Sequence, residues 1–220
     1  MAELAIVRRV VPLAPGLPAD LHPVLRRVLA ARGALTAADL DTSLDGLYRT
    51  EALDGIDKAV ALLENAIIRE EKIVIVADFD ADGATSCAVA MCALKSMGAV
   101  EADYLVPNRF EYGYGLTPPI VELAAAKNPQ LLVTVDNGIS SIDGVEAARN
   151  MGISVLITDH HLPGARLPNA NAIVNPNVPG DPFPSKSLAG VGVIFYVMLA
   201  LRQRLQTRGW FTDSGLKYPN

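Results

Sequence analysis

Short runs rich in Val, Ile and Leu alternate along residues 56–160 with stretches whose apolar positions recur at about helical spacing. The runs predict strands buried on both faces, and the stretches predict helices lying on them. The pattern gives a helix over 56–69, a strand over 72–77 (KIVIVA), a helix over 84–97 stopped by Gly98, and a strand within 100–106. A Gly/Tyr loop follows, then a helix from Pro119 to about Lys127, a strand over 131–135 (LLVTV), a helix from about Ile142 to Met151 and a strand over 153–158 (ISVLIT). Strand–helix–strand units of this length predict a doubly wound, mainly parallel α/β sheet flanked by helices, with right-handed crossovers.

The pattern changes on either side of this block. Residues 1–55 read as a short helical N-terminal appendage. Pro12, Pro15, Pro18 and Pro23 mark an extended entry, VLRRVLAA (24–31) is an amphipathic helix ended by Gly33, and Thr36 caps a second turn. His22, Asp39, Asp41 and Asp45 read there as caps and surface groups. Residues 56–220 form the main domain. Within it, 163–187 hold six of the 15 prolines and read as a loop around a short strand at 172–174. Residues 188–204 read as an apolar helix, and the closing GWFTDSGLKYPN offers no further element.

Composition narrows the class. Half of the 220 residues are hydrophobic and 20% are charged, so the chain is globular. A formal net charge of −5 excludes a uniformly basic nucleic-acid binder but leaves room for a local basic groove. Arg202, Arg204, Arg208 and Lys217 make the C-terminal stretch locally basic, either as a solvated helix face or as part of a DNA path. Cys87 and Cys92 lack CxxC spacing, which argues against a disulfide framework or structural zinc and fits a reducing compartment. The N-terminal stretch has no apolar core of signal-peptide length, and the run 191–201 is too short to span a bilayer. The expectation is a cytoplasmic protein with no membrane partner.

The chemistry sits at the strand ends, where a parallel α/β sheet binds ligands. One strand ends in Asp78-Phe79-Asp80-Ala81-Asp82-Gly83, another in Asp136-Asn137-Gly138, and a third in Asp159-His160-His161. Any single aspartate reads as readily as a helix cap. Three clusters at three strand ends instead bring five carboxylates and two imidazoles to one edge, which would repel or take up protons without cations. Oxygen donors with one or two imidazoles suit Mn²⁺ or Mg²⁺. Asp80 and Asp82, two apart, would share a side in extended geometry. Asp136 and His160, 24 apart, lie one strand–helix step from each other, on adjacent strands.

Two look-alikes are weighed against this. A DxDxDG start resembles an EF-hand loop, but its twelfth position is Val89 rather than Glu. A haloacid-dehalogenase-like phosphatase carries DxDGT after a strand, but Ala84 stands where its Thr belongs, and that family gives no reason for Asp159-His160-His161.

The ordered segments VADFDADGATS (76–86), VPNRFEYGYGL (106–116), VTVDNGISS (133–141), ITDHHLPG (157–164), NPN (175–177) and SKSLAGVGV (185–193) resemble the DHH phosphoesterase superfamily. Within it they resemble the bacterial 5′→3′ exonucleases specific for single-stranded DNA, as do LAARG (29–33) and DKAVALLENAI (57–67). The resemblance implies two divalent cations, Mn²⁺ or Mg²⁺. It implies Asp80, Asp82, Asp136 and His160 as metal ligands, with Asp136 bridging, and Asp78 as a ligand or as a group supporting the ligands. It implies that His161 contacts the scissile phosphate and protonates the leaving oxygen, with Asp159 orienting an imidazole. Asn137, Thr85, Ser86 and Arg109 read as substrate-binding groups. For Arg109 the alternative is a surface salt bridge. Tyr112 and Tyr114 either stack on bases or pack the loop.

The function so implied is phosphodiester hydrolysis of single-stranded DNA in repair and recombination, with a single-strand-binding protein and a helicase as partners. The alternatives are a DHH phosphodiesterase for short oligonucleotides or cyclic dinucleotides, the phosphatase above, and a catalytically silent scaffold. The superfamily's longer members continue with another metal-binding Asp and further domains. This chain therefore reads as a fragment that need not be active alone, with a metal site one ligand short and a 188–204 helix without a packing partner.

Overall fold

In a computed structural model, residues 7 and 10–219 are described. The expectation about the leader therefore lies mostly outside the described residues. The chain forms two compact units that divide between Tyr48 and Arg49.

The first unit is small. Helix α1 (Pro23–Ala31) starts at His22, whose side chain accepts from Val24 N–H, and Pro23 opens its first turn. Asp39 accepts from the backbone N–H groups of Leu35 (2.9 Å) and Thr36 (2.8 Å), fixing a following 3₁₀ turn. Ala14, Leu17 and Ala30 form its core. His22, Asp39 and Asp41 thus act as caps.

The second unit contains α2 (Ile56–Ile68), β1 (Ile73–Ala77), α3 (Ala81–Ser96), β2 (Ala102–Leu105), α4 (Arg109–Tyr112), α5 (Pro118–Ala125) and β3 (Leu131–Val135). It continues with α6 (Ile142–Asn150), β4 (Ser154–Thr158), β5 (Ala172–Val174), α7 (Gly190–Thr207) and α8 (Trp210–Asp213). All five strands are parallel, in the order β2-β1-β3-β4-β5. The domain boundary was read at residue 55. Residues 49–55 lie with the second unit, where Leu53 is buried in the main core.

The period-2 alternation of the strands sorts their side chains between two layers. Ile73, Ile75, Leu131, Val133 and Leu156 pack with α2, α3 and α7 on one face. Val74, Val76, Leu132, Val155 and Ile157 pack with α5 and α6 on the other. This is the expected doubly wound architecture.

Two expectations are corrected here. The last long helix has packing partners. Val193, Ile194, Val197 and Leu201 are buried against α3 and α2, and Glu64 of α2 lies 3.0 Å from Arg208 and 3.7 Å from Arg204. Arg202, Arg204 and Arg208 of that stretch are accordingly paired within the protein. Arg202 donates to the Pro219 carbonyl and stacks over Tyr218. The terminal stretch also contains an element, α8, whose Trp210 indole donates to the Met97 carbonyl at 2.9 Å.

Candidate active site

The strand order reverses at β1 and β3, the switch point at which doubly wound sheets bind ligands. Register places the chemistry there. Ala77 pairs with Val135, and Val135 with Thr158, so Asp78, Asp136 and Asp159 form one row just past three neighbouring strand ends.

The first cluster is not extended. Asp80 is the N-cap of α3 and accepts from Gly83 N–H at 3.0 Å, while Asp82 already lies in the helix. Helix α3 starts at Ala81 rather than at the expected Ala84, so the two side chains do not share one side of a strand. Asp82 accepts from Gly190 N–H (2.8 Å) and Val191 N–H (2.7 Å) at the start of α7. Gly83 has to be glycine, because a Cβ would clash with the carbonyl group of Asp78. Asp78 itself is held by Arg109, whose Nη2 lies 2.6 Å from both carboxylate oxygens. That partner holds the guanidinium pKa above its ordinary value.

Asp136 is the centre of the arrangement. It leaves β3 at φ +62° and is 1% exposed. Its Oδ1 is buried and has no hydrogen-bond partner, although His160 Nε2 lies 3.1 Å away. The same His160 nitrogen lies 3.6 Å from Asp82. Burial, followed by the charges of Asp82 and Asp80, pushes the Asp136 carboxyl up to about 7.

Asp159 organises the histidines. Its Oδ2 accepts from Ile139 N–H (2.9 Å), and its Oδ1 accepts from His160 N–H (2.7 Å) and His161 N–H (3.1 Å). His161 Nδ1 lies 2.7 Å from Asp159 Oδ1. Burial pulls the His161 pKa down, but the Asp159 hydrogen bond and charge, with Asp136 and Asp78, outweigh it and raise the net value. The Tyr114 hydroxyl lies 3.2 Å from His161 Nδ1.

The other sequence-singled residues divide. Asn137 is 2% exposed, and its amide donates to the carbonyls of Val76 (3.1 Å) and Val135 (2.9 Å), so it stitches β1 to β3. Thr85 donates to helix carbonyls of Ala81 and Asp82, and Ser86 is fully buried, so its hydroxyl does not face a surface substrate. Tyr112 packs against the core. Four groups were not assigned roles from sequence. Asn175 donates to the His161 carbonyl (3.0 Å) and Asn177 to that of His160 (2.5 Å), bracing both histidines. Gly190 and Val191 cap Asp82. The NPN and SKSLAGVGV segments marked these places, but only the fold joins them to Asp82, His160 and His161.

Among the described residues, two donor groups could hold a cation: Asp136 with His160 and His161, and Asp78 with Asp80 and Asp136. Within each, the donor atoms lie within 4.8 Å of one another. They share Asp136. A buried carboxylate oxygen with no hydrogen-bond partner, faced by other carboxylates and by an imidazole nitrogen 3.1 Å away, fits a hard divalent ion.

An all-parallel sheet with carboxylates and imidazoles at its switch point defines a doubly wound α/β domain with a potential metal centre. More narrowly, the chain belongs to the DHH family: residues 72–213 match the family's N-terminal domain. It is 53% identical to the single-stranded-DNA-specific exonuclease RecJ of Escherichia coli K12 over 218 residues, 99% of this chain and 38% of that protein. It is 38% identical to RecJ of Bacillus subtilis over 188 residues, 83% of this chain and 24% of that protein. The chain thus spans well under half the length of these relatives. A crystal structure of exonuclease RecJ bound to manganese aligns over 76% of this chain and 40% of its own, with TM-score 0.64 and 33% identity. A Thermus thermophilus RecJ structure with Mn²⁺ aligns over 87% of this chain and 25% of its own, with TM-score 0.64 and 30% identity.

Proposed function

We propose that the chain carries the metal centre of a 5′→3′ exonuclease that hydrolyses phosphodiester bonds of single-stranded DNA, using Mn²⁺ or Mg²⁺. The observation that carries this reading is that Asp136, whose buried Oδ1 has no hydrogen-bond partner, is shared by two donor groups. The relatives' names support the substrate, and the manganese-bound relatives support the ion.

In this reading Asp78, Asp80, Asp82, Asp136 and His160 would hold two cations. A bound pair of divalent ions neutralises charge on the phosphate and makes water a better nucleophile at neutral pH. The protein's own part is positional. Asp159 fixes the His161 ring through Nδ1, so that Nε2 can give a proton to the leaving oxygen. Arg109 holds Asp78 in place from across the loop. The α7 N–H groups fix Asp82, and Asn177 fixes the backbone of His160.

A 5′-ended single strand arises by unwinding and is coated when bare. We therefore place a helicase and a single-strand-binding protein beside this enzyme, in DNA repair and recombination in the cytoplasm. Among the described residues, no helix is long and apolar enough to cross a membrane. The test is Mn²⁺-dependent release of nucleotides from 5′-ended single strands. Asp136→Ala should abolish it, and an equally active variant would refute the assignment.

A further inference from the structure

Beside the carboxylates the surface carries exposed aromatic rings that the hydrolytic chemistry does not use. Phe79 stands between Asp78 and Asp80 and is 48% exposed. Phe110, the second residue of α4, is 92% exposed. Their ring centroids are 6.4 Å apart at 51°. Leaving two phenyl rings in water forfeits the stabilisation that burial would give.

Phe110 does not owe its exposure to a loose loop. On one side, Asn108 accepts from Phe110 N–H at 3.1 Å, and the neighbouring Arg109 is locked to Asp78. On the other, Tyr112 packs on the core and its carbonyl accepts from Thr117 at 3.0 Å. The turn is anchored at both ends while the ring between them faces solvent.

The other candidate rings of this loop are occupied. Tyr114 has its hydroxyl 3.2 Å from His161 Nδ1, and Tyr112 packs on the core. Arg109 lies 4.4 Å from the Phe79 centroid, placing a positive charge at the base of the pair.

We propose that Phe79 and Phe110 form a stacking surface for an unpaired nucleobase next to the phosphate held at the carboxylate centre. The proposal rests on the exonuclease reading above and deepens it. An unpaired base offers a free π-face, which aromatic side chains bind with little regard to sequence. A base in a duplex has its faces covered by its neighbours. The pair therefore selects single strands by structure, and Phe79, flanked by Asp78 and Asp80, ties that selection to the site of cutting.

The test uses two strands with phosphorothioate linkages that resist cutting. One carries 2-aminopurine and natural bases at its 5′ end, and the other carries abasic residues there. Binding to the protein in Mn²⁺ is followed by anisotropy and by 2-aminopurine quenching. The unsubstituted protein should bind the abasic strand about tenfold more weakly, as expected for loss of one stacked base. Phe110→Ala and Phe79→Ala should weaken binding of the natural strand by a similar factor, abolish the quenching, and leave abasic binding unchanged. Phe110→Trp should restore both signals. An equal loss on both strands, unchanged binding of the natural strand, or a loss of thermal stability with unchanged DNA binding (the mark of a protein segment covering the rings) would overturn the proposal. Mn²⁺-dependent cutting of an ordinary strand by the unsubstituted protein is scored separately. Absence of both cutting and Mn²⁺ binding would refute the exonuclease reading, whereas cutting or Mn²⁺ binding without a base-dependent effect of Phe110→Ala would refute only the stacking surface.

Discussion

Asp82 and Gly190 stand 108 residues apart in sequence, yet the Asp82 carboxylate accepts the Gly190 N–H at 2.8 Å. Its other oxygen takes the Val191 N–H, so an aspartate in the first turn of α3 caps the first turn of α7. One residue of the DxD motif therefore joins two helices of the same layer beside the candidate metal centre.

Asp82→Ala leaves two N–H groups of the α7 start without acceptors. A loss of about 1–3 kcal/mol is expected, from the cap and the unmet donors together. Urea unfolding in chelator measures it free of any contribution from cations, and an unchanged midpoint would contradict the capping role.

Gly190 also touches the centre directly, because a Cβ there would lie 2.5 Å from Asp136 Oδ1. Gly190→Ala should displace that carboxylate and lower Mn²⁺-dependent nucleotide release on the order of 100-fold, the scale expected for ångström misplacement of a reacting group. Steady-state kinetics beside a melting curve separates this from unfolding. Full activity in the alanine variant would show that the contact is unimportant.

The pH dependence follows from Asp136. Its carboxyl is held at about 7 in the folded chain, against 3.8 ordinarily. Folding takes up a proton between those values, so the group's contribution to stability is full below pH 3.8 and is lost as pH rises through 7. Asp136→Asn lacks this loss. Measured in chelator, the melting temperature of Asp136→Asn should gain on that of the native protein from pH 5 to about pH 7 and then level off. A difference independent of pH would contradict the burial and charge argument.

Asp159 accepts three backbone N–H groups and orients His161. In Asp159→Asn an amide nitrogen must face donors. Stability should fall by about 2–3 kcal/mol, and on the proposed role of His161 as proton donor kcat should fall more than KM rises. Equal effects on both constants would point to binding instead.

Much of this was legible in the sequence, and the reason is register. The strands end on Ala77, Val135 and Thr158, and the next residue of each is an aspartate, so finding the strands found the row. Local patterning also gave the layers, since strand alternation and helical spacing are short-range signals. What escaped depends on contacts across long separations or on a small shift of phase. Starting α3 three residues late put Asp80 and Asp82 on an imagined strand and hid the α7 cap. The partners of α7 lie on α2 and α3, more than 90 residues earlier along much of its length, where no local pattern betrays them. Nothing in the sequence singles out Phe79 and Phe110, because exposure is a property of the fold alone. Asn137 and Ser86 read as polar groups near a site, and only coordinates show that both are buried.

The central claim is that Asp136 is shared by two cations, and anomalous diffraction from crystals grown with Mn²⁺ tests it most directly. The account predicts two anomalous peaks flanking the Asp136 carboxylate, with Asp80 and His160 among the neighbours, and loss of both peaks in Asp136→Ala. A single peak away from Asp136, or two peaks that persist in Asp136→Ala, would contradict it.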